Sequence, residues 1–103
     1  MDTKYWLEAE WTSLFSKALA YPKVPTLESE HDYKRYFVDL QFVLPGSFKH
    51  EYASYMQKIP VEPFLRGGRD HLAHWVLKIH NSYQRYHGGK IMTLDEAIQT
   101  YLG

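Results

Sequence analysis

The sequence of 103 residues contains no cysteine. Disulfide bonds, thiolate nucleophiles and cysteine-bound metals are therefore excluded for these residues. A surplus of charge of one sign is also lacking, because 12 basic residues balance 12 acidic ones. A protein that neutralises nucleic acid phosphates usually has a basic surplus, so the composition argues against a nucleic acid partner.

Long hydrophobic runs are absent as well. No stretch approaches the roughly 18 consecutive apolar residues that a membrane-spanning helix needs. The opening segment, MDTKYWLEAEW, contains acidic residues and no apolar centre. We therefore expect neither a membrane span nor a secretory signal.

Aromatic residues, in contrast, are abundant: nine Tyr, five Phe and three Trp. A chain this rich in rings either packs them in its core or uses some of them to hold a planar ligand or a partner. The length is sufficient for one hydrophobic core, so residues 1–103 are predicted to form a single domain.

Proline and glycine residues divide the chain into five segments, most of which show helical rather than strand spacing of apolar residues. The first predicted helix runs from about residue 3 to 20, and the second begins after Thr26, its N-cap. The third runs from about residue 47 to 58, and the fourth lies between Gly68 and Gly88. The fifth begins with a capping box at Thr93. The predicted fold class is all-α, a four-helix bundle plus a short fifth helix.

The segment between Gly68 and Gly88 carries the most informative side chains. Trp75, Ile79 and Tyr83 recur every four residues, and His80 and Asn81 lie at the edge of that stripe. Rings beside hydrogen-bonding groups suit a flat heterocycle, which needs stacking on its face and hydrogen bonds at its rim. Periodicity alone favours core rings, with His80 and Asn81 capping neighbouring backbone groups.

Histidine spacing offers a metal-binding alternative. His71 and His74 lie three residues apart on one predicted helix and could share a metal with Asp70 or His31. The same spacing fits solvated positions on an amphipathic helix, and no signature such as HExxH supports a metal. No metal ligand is therefore predicted.

Two further kinds of site have little support in the sequence. Gly67-Gly68 before Arg69 could form a helix N-terminus that holds a phosphate, but no strand precedes it. No Gly-x-Ser-x-Gly motif indicates a nucleophilic serine.

Several motifs in order resemble the Erv/ALR flavin-linked sulfhydryl oxidases over residues 7–102. The stretch WTSLFSKA at residues 11–18, followed by Tyr21-Pro22 and Pro25-Thr26, resembles the family's opening Trp-x-x-Leu-His-x-x-Ala, Tyr-Pro and Pro-Thr. The pattern Arg69-x-x-Leu72-x-x-Trp75, continuing to His80-Asn81, resembles the FAD-binding helix. The ending from Lys90 to Tyr101 is similar to that of short virus-encoded members.

The resemblance implies an FAD site and a protein partner. The residues implied to contact FAD are Trp11, Trp75, His80, Asn81, Gln84 and Lys90. Phe15 stands in place of the family's His, Gln84 in place of its Asn, and Glu8 where a basic residue often lies near the phosphates. Members commonly pair, so a homodimer or a place in a larger assembly such as a virion is expected. The compartment is not predicted beyond an intracellular or virion location.

The resemblance breaks at the redox centre. The family's activity depends on Cys-x-x-Cys at the start of the third helix, and Gly46 and Lys49 stand at those positions. Leu77 occupies another position that often carries cysteine. Neither Gly nor Lys can attack a disulfide or a flavin as a thiolate does. We therefore expect a catalytically inactive pseudo-enzyme that serves as a structural or protein-interaction module; the alternative is an FAD-binding flavoprotein whose chemistry uses no thiols of its own.

Overall fold

The computed structural model describes residues 3–103, with side chains from Trp6 onward. These residues form six helices and no strand, and none of the helices has the length and hydropathy to cross a membrane. The helices are α1 (Thr3–Leu19), α2 (Leu27–Val43), α3 (Gly46–Lys58), α4 (Glu62–Arg66), α5 (Arg69–His87) and α6 (Leu94–Leu102). The all-α prediction is confirmed. The five predicted helices are α1, α2, α3, α5 and α6; the five-residue α4 is too short to show a periodic pattern.

Two of the predicted helix starts, at Thr26 and Thr93, have side-chain capping interactions. The Thr26 hydroxyl accepts a hydrogen bond from the Ser29 backbone N–H at 3.1 Å, and the Ser29 hydroxyl accepts one from the Thr26 N–H at 2.9 Å. Thr93 and Glu96 form the same reciprocal pair before α6. Each pair satisfies two backbone donors that the first turn leaves without intrahelical partners.

Trp75 lies at the centre of the bundle, between α2, α3 and α5. Its side chain is fully buried, and its ring meets the edge of Phe37 with 5.1 Å between ring centroids. The indole Nε1 donates a hydrogen bond to the backbone oxygen of Ile59 at 2.7 Å. The Tyr52 hydroxyl donates to the backbone oxygen of Phe37, so both polar groups brought into this core have partners.

The helices α1 and α5 pack antiparallel against each other. Where α1 ends, the Arg69 side chain at the start of α5 donates a hydrogen bond to the Tyr21 backbone oxygen at 2.8 Å. Toward the start of α1, the Trp11 ring lies 5.9 Å from that of Tyr83 near the end of α5. α6 packs on both helices, and its Tyr101 carbonyl accepts a hydrogen bond from the Thr12 hydroxyl at 3.2 Å.

Candidate functional site

A cleft of about 660 Å³ opens between the first half of α1, the end of α5 and the C-terminal turn of α6. Its volume falls in the range of about 300–1,000 Å³ that is usual for small-molecule sites. The described residues that line it are Leu7, Glu8, Trp11, Tyr83, Gln84, Lys90 and Tyr101. Three of these seven side chains are aromatic, so the walls suit a planar ligand.

The indole N–H of Trp11 has no hydrogen-bond acceptor among the described residues. The residue is 1% exposed, and its ring makes edge contacts with Phe48, His80 and Tyr83. Its buried Nε1–H finds no acceptor among the residues that the structure describes. A buried donor without a partner costs about 1–3 kcal/mol.

Behind the cleft, His80 is completely buried in a hydrogen-bonded chain. Its Nε2 lies 2.9 Å from the Tyr101 hydroxyl and 3.3 Å from the Gln84 amide nitrogen, and its Nδ1 lies 2.9 Å from Asn81 Oδ1. Both neighbours of Nε2 have hydrogens to donate, so Nε2 accepts and the proton is on Nδ1. Burial lowers the pKa of His80, although its hydrogen bond to Asn81 acts in the opposite direction. The imidazole is therefore neutral at pH 7 and already has partners on both nitrogens.

The sequence-predicted site residues separate into two groups. Trp11, Gln84 and Lys90 line the cleft, and His80 lies directly behind it. Trp75 belongs to the core between α2 and α3. The Asn81 amide exchanges two hydrogen bonds with the Met92 backbone, at 2.8 and 3.0 Å. Asn81 therefore fastens the segment after α5 to that helix.

Tyr83 and Tyr101 also line the cleft, although the sequence did not predict either as a site residue. Tyr83 belongs to the aromatic stripe of α5, so its spacing from Trp75 and Ile79 was a usable signal. The Tyr101 ring stacks on Phe15, with 11° between the planes and 5.8 Å between the centroids. These residues are far apart in sequence, and no local pattern pairs them.

At the position of the redox cysteines, the start of α3 has no thiol. Gly46 has a positive φ of 59°, a backbone conformation that is unfavourable for a cysteine by about 1–2 kcal/mol. The Phe48 ring, between Gly46 and Lys49 in sequence, points into the core against Trp11 at 5.2 Å. The backbone at residue 46 therefore has a conformation that suits glycine and disfavours cysteine.

The charges at the cleft balance. Burial, and then the charge of Glu8, raise the pKa of the Tyr101 hydroxyl. Lys90 is the one lysine or arginine among the described side chains that line the cleft. Its ammonium lies 3.2 Å from the Glu96 carboxylate, so a nearby acid already compensates its charge. The described part of the cleft thus offers no net positive charge to an anion.

The structure gives no support to the metal and phosphate alternatives. Among the described residues, no three histidine, aspartate or glutamate side chains come together as possible metal ligands. At the start of α5, the Arg69 backbone N–H donates to the Pro22 oxygen at 3.1 Å instead of facing solvent. The loop after α1 thus uses this backbone donor, which a phosphate at the helix start would need.

Solved structures share this fold. The yeast Erv1 core aligns with a TM-score of 0.86 and 19% identity, over 98% of this chain and 84% of the other. The FAD-binding domain of Erv1 from Saccharomyces cerevisiae aligns with a TM-score of 0.79 and 19% identity, over 98% of this chain and 94% of the other. Both comparisons establish the helical architecture.

The sequence itself is similar to that of a probable FAD-linked sulfhydryl oxidase, R368 of Acanthamoeba polyphaga mimivirus. The two are 34% identical over 100 residues, which cover 96% of this chain and 70% of the viral protein. No protein-family model matches the sequence. On this similarity, the chain belongs to the Erv/ALR family of FAD-linked sulfhydryl oxidases, as a member without cysteine.

FAD, the cofactor that the family implies, fits the cleft only in part. The rings of Trp11, Tyr83 and Tyr101 suit its flat ring system. The charged side chains that the described lining offers to its diphosphate are Glu8 and Lys90, and the Lys90 ammonium lies 3.2 Å from the Glu96 carboxylate. A diphosphate is stabilised by charge-assisted donors, which the described lining does not supply in excess.

Proposed function

We propose that this chain is a sulfhydryl-oxidase-like helical domain without thiol oxidation of its own, which acts as a protein-interaction module and pairs as a homodimer. The observation that carries the proposal is the replacement of both redox cysteines, by Gly46 and Lys49, on an otherwise intact scaffold. Thiol oxidation by a protein dithiol requires a thiolate to attack a disulfide, and these residues have no sulfur.

An exposed surface of α2 supports the pairing. This surface, called the α2 face here, borders a shallow groove of about 460 Å³ and consists of Asp32, Arg35, Tyr36, Asp39, Leu40 and Val43. Val43 is 73% exposed and the adjacent Phe42 is 65% exposed. Large apolar side chains that cluster on a surface are typical of contact sites.

The charges of the α2 face support a second copy of the chain as the partner. Arg35 lies between Asp32 and Asp39 along one helix. When two such helices pack antiparallel about a two-fold axis, Arg35 of one copy can pair with Asp39 of the partner subunit, and the reverse pair forms by symmetry. A surface that carries both signs around apolar residues is therefore complementary to itself.

Val43→Asp is expected to shift the protein from dimer to monomer, with a dimer dissociation constant at least about tenfold higher, because an unpaired carboxylate would enter an apolar contact. Size-exclusion chromatography with light scattering over a concentration series measures the constant. Val24→Asp is the matched control, since Val24 is 85% exposed and lies outside α2. A wild-type protein that stays monomeric at the highest concentration would contradict the pairing.

An oxygen-electrode assay tests the absence of thiol oxidation. With dithiothreitol or a reduced protein as donor and added FAD, we expect oxygen consumption equal to that of FAD alone. The double substitution Gly46→Cys/Lys49→Cys serves as a comparison, although the positive φ of residue 46 strains it. Turnover by the unmodified chain above the FAD background would refute the proposal.

Flavin binding with chemistry independent of the chain's own thiols is the second candidate function. The observation that favours it is the cleft lined by the rings of Trp11, Tyr83 and Tyr101, together with the FAD-linked activity named for the viral relative. A bound oxidised flavin would supply redox chemistry. These rings would pack against its flat ring system.

A further inference from the structure

A groove of about 350 Å³, called the α5 groove here, runs along the outer side of α5 and shares no lining residue with the cleft or the α2 face. Residues three and four positions apart lie on one side of a helix, so the α5 residues of the lining form one continuous stripe. The described lining consists of Ile59, at the end of α3, and of His74, Leu77, Lys78, Asn81, Ser82 and Arg85.

The apolar part of the α5 groove is held in a fixed shape. Leu77 and Ile59 are half-buried and supply apolar surface. The Ile59 backbone oxygen accepts the hydrogen bond from the buried Trp75 ring at 2.7 Å, and the Asn81 amide is bonded to the Met92 backbone. A surface that is already ordered loses little conformational freedom when a partner binds, which favours association.

The formally charged side chains in the lining are Lys78 and Arg85, and both are exposed and basic. Neither forms an ion pair with a described side chain, whereas Lys34 and Lys90 each lie 3.2 Å from a carboxylate. The acidic residue of α5 is Asp70, eight residues before Lys78 and therefore about 12 Å away along the helix axis. The α5 groove thus keeps a local positive charge on a chain whose formal net charge is zero.

The spacing of the two cations indicates the form of the partner. Lys78 and Arg85 are seven residues apart on α5, which corresponds to about 10.5 Å along its axis. A single small anion would have to draw two long side chains together over that distance, at a cost in side-chain entropy. A second helix with acidic residues seven positions apart has the same spacing, and the residues between them would face Leu77 and Ile59. Two cations are few for a nucleic acid, whose affinity depends on the number of phosphates neutralised.

We propose that the α5 groove binds an acidic amphipathic helix of a partner protein. Two carboxylates of that helix, seven residues apart, pair with Lys78 and Arg85, and an apolar side chain between them contacts Leu77 and Ile59. The proposal rests on the interaction role proposed above and states the chemistry of the partner. It is independent of the homodimer, because the α5 groove and the α2 face have no residue in common.

Fluorescence anisotropy of the whole chain with a labelled, alanine-based helical peptide tests the proposal. The peptide carries two glutamates seven residues apart with two leucines between them, and a control peptide carries glutamines in their place. We expect the glutamate peptide to bind at least about tenfold more tightly at low salt, and the difference to shrink at high salt. Equal binding of the two peptides, or tighter binding of a DNA duplex, would overturn the proposal. Failure of the glutamate peptide to bind would also overturn it, while light scattering still tests the homodimer separately.

Substitutions in the chain locate the effect. Lys78→Gln and Arg85→Gln are each expected to weaken binding of the glutamate peptide about threefold, and about tenfold together, because each removes one exposed ion pair. Lys23→Gln, the same change at an exposed lysine in the loop after α1, is expected to leave binding unchanged. Equal losses for Lys78→Gln and Lys23→Gln would contradict a local role for the α5 groove.

A charge exchange gives a gain of binding that a merely structural effect would not produce. The double substitution Lys78→Glu/Arg85→Glu is expected to bind the glutamate peptide at least about tenfold more weakly than the wild type does. The same variant is expected to bind a peptide with lysines in place of the two glutamates, which the wild type rejects. Failure of the lysine peptide to bind the variant, whose fold circular dichroism checks, would overturn the pairing of charges.

Discussion

Trp75→Ala is expected to lower the free energy of unfolding by about 3–5 kcal/mol, the range for removing a large aromatic side chain from a core. The indole is fully buried and is in edge contact with Phe37 and Tyr52, so its loss leaves a cavity between α2, α3 and α5. The Ile59 carbonyl would also lose the donor that now lies 2.7 Å away. Urea unfolding followed by circular dichroism measures the change.

The control for Trp75→Ala is Tyr86→Ala on the same helix. Tyr86 is 79% exposed, so its truncation is expected to stay within about 0.5 kcal/mol of the wild type. Trp75→Phe separates the two contributions, because it keeps most of the packing and removes the donor to Ile59. We expect this variant to lose about 1–3 kcal/mol. A Trp75→Ala protein as stable as the Tyr86→Ala protein would contradict the position of Trp75 in the core.

The sequence was sufficient to predict the helical architecture because helices depend on local signals. The capping boxes at Thr26 and Thr93, and Gly88 at the end of α5, lie within a few residues of the boundaries that they set. The spacing that made Trp75 a candidate ligand contact also predicts a core residue. Periodicity identifies the buried face of a helix, but it does not distinguish a ring packed against protein from one that borders a cleft.

The composition of the cleft was less predictable because its residues come from four separate segments of the chain. Glu8, Tyr83, Lys90 and Tyr101 meet only when α1, α5, the loop after α5 and α6 are assembled. The ion pair between Lys90 and Glu96 was also not predicted, because their sequence positions alone do not show that the two side chains meet. Resemblance to the family indicated Trp11, Gln84 and Lys90 as residues beside a ligand, whereas the neighbours that surround them follow only from the assembled helices.

Gly68→Ala is expected to destabilise the protein by about 2–6 kcal/mol, the sum of a penalty for a backbone conformation that is essentially confined to glycine and an overpacking penalty. Gly68 has a φ of 86°, and a Cβ atom at this position would lie 2.2 Å from the backbone oxygen of Lys23. Neither the backbone at Gly68 nor the loop that contains Lys23 can move away easily. The Arg69 N–H donates a hydrogen bond to the Pro22 oxygen, and the Arg69 side chain donates one to the Tyr21 oxygen. Thermal and urea unfolding monitored by circular dichroism give the magnitude.

Gly88→Ala is the matched control for Gly68→Ala. Gly88 also has a positive φ, of 73°, but a Cβ atom there would have nothing within 4 Å. Gly88 has left-handed helical dihedral angles, so only a backbone penalty of about 1–2 kcal/mol then applies. We expect the larger loss for Gly68→Ala, because its glycine-only backbone conformation and the contact with Lys23 both add to the penalty. Equal losses would contradict this and would mean that the loop before α2 can move away from α5, so that the junction between the end of α1 and the start of α5 does not depend on Gly68.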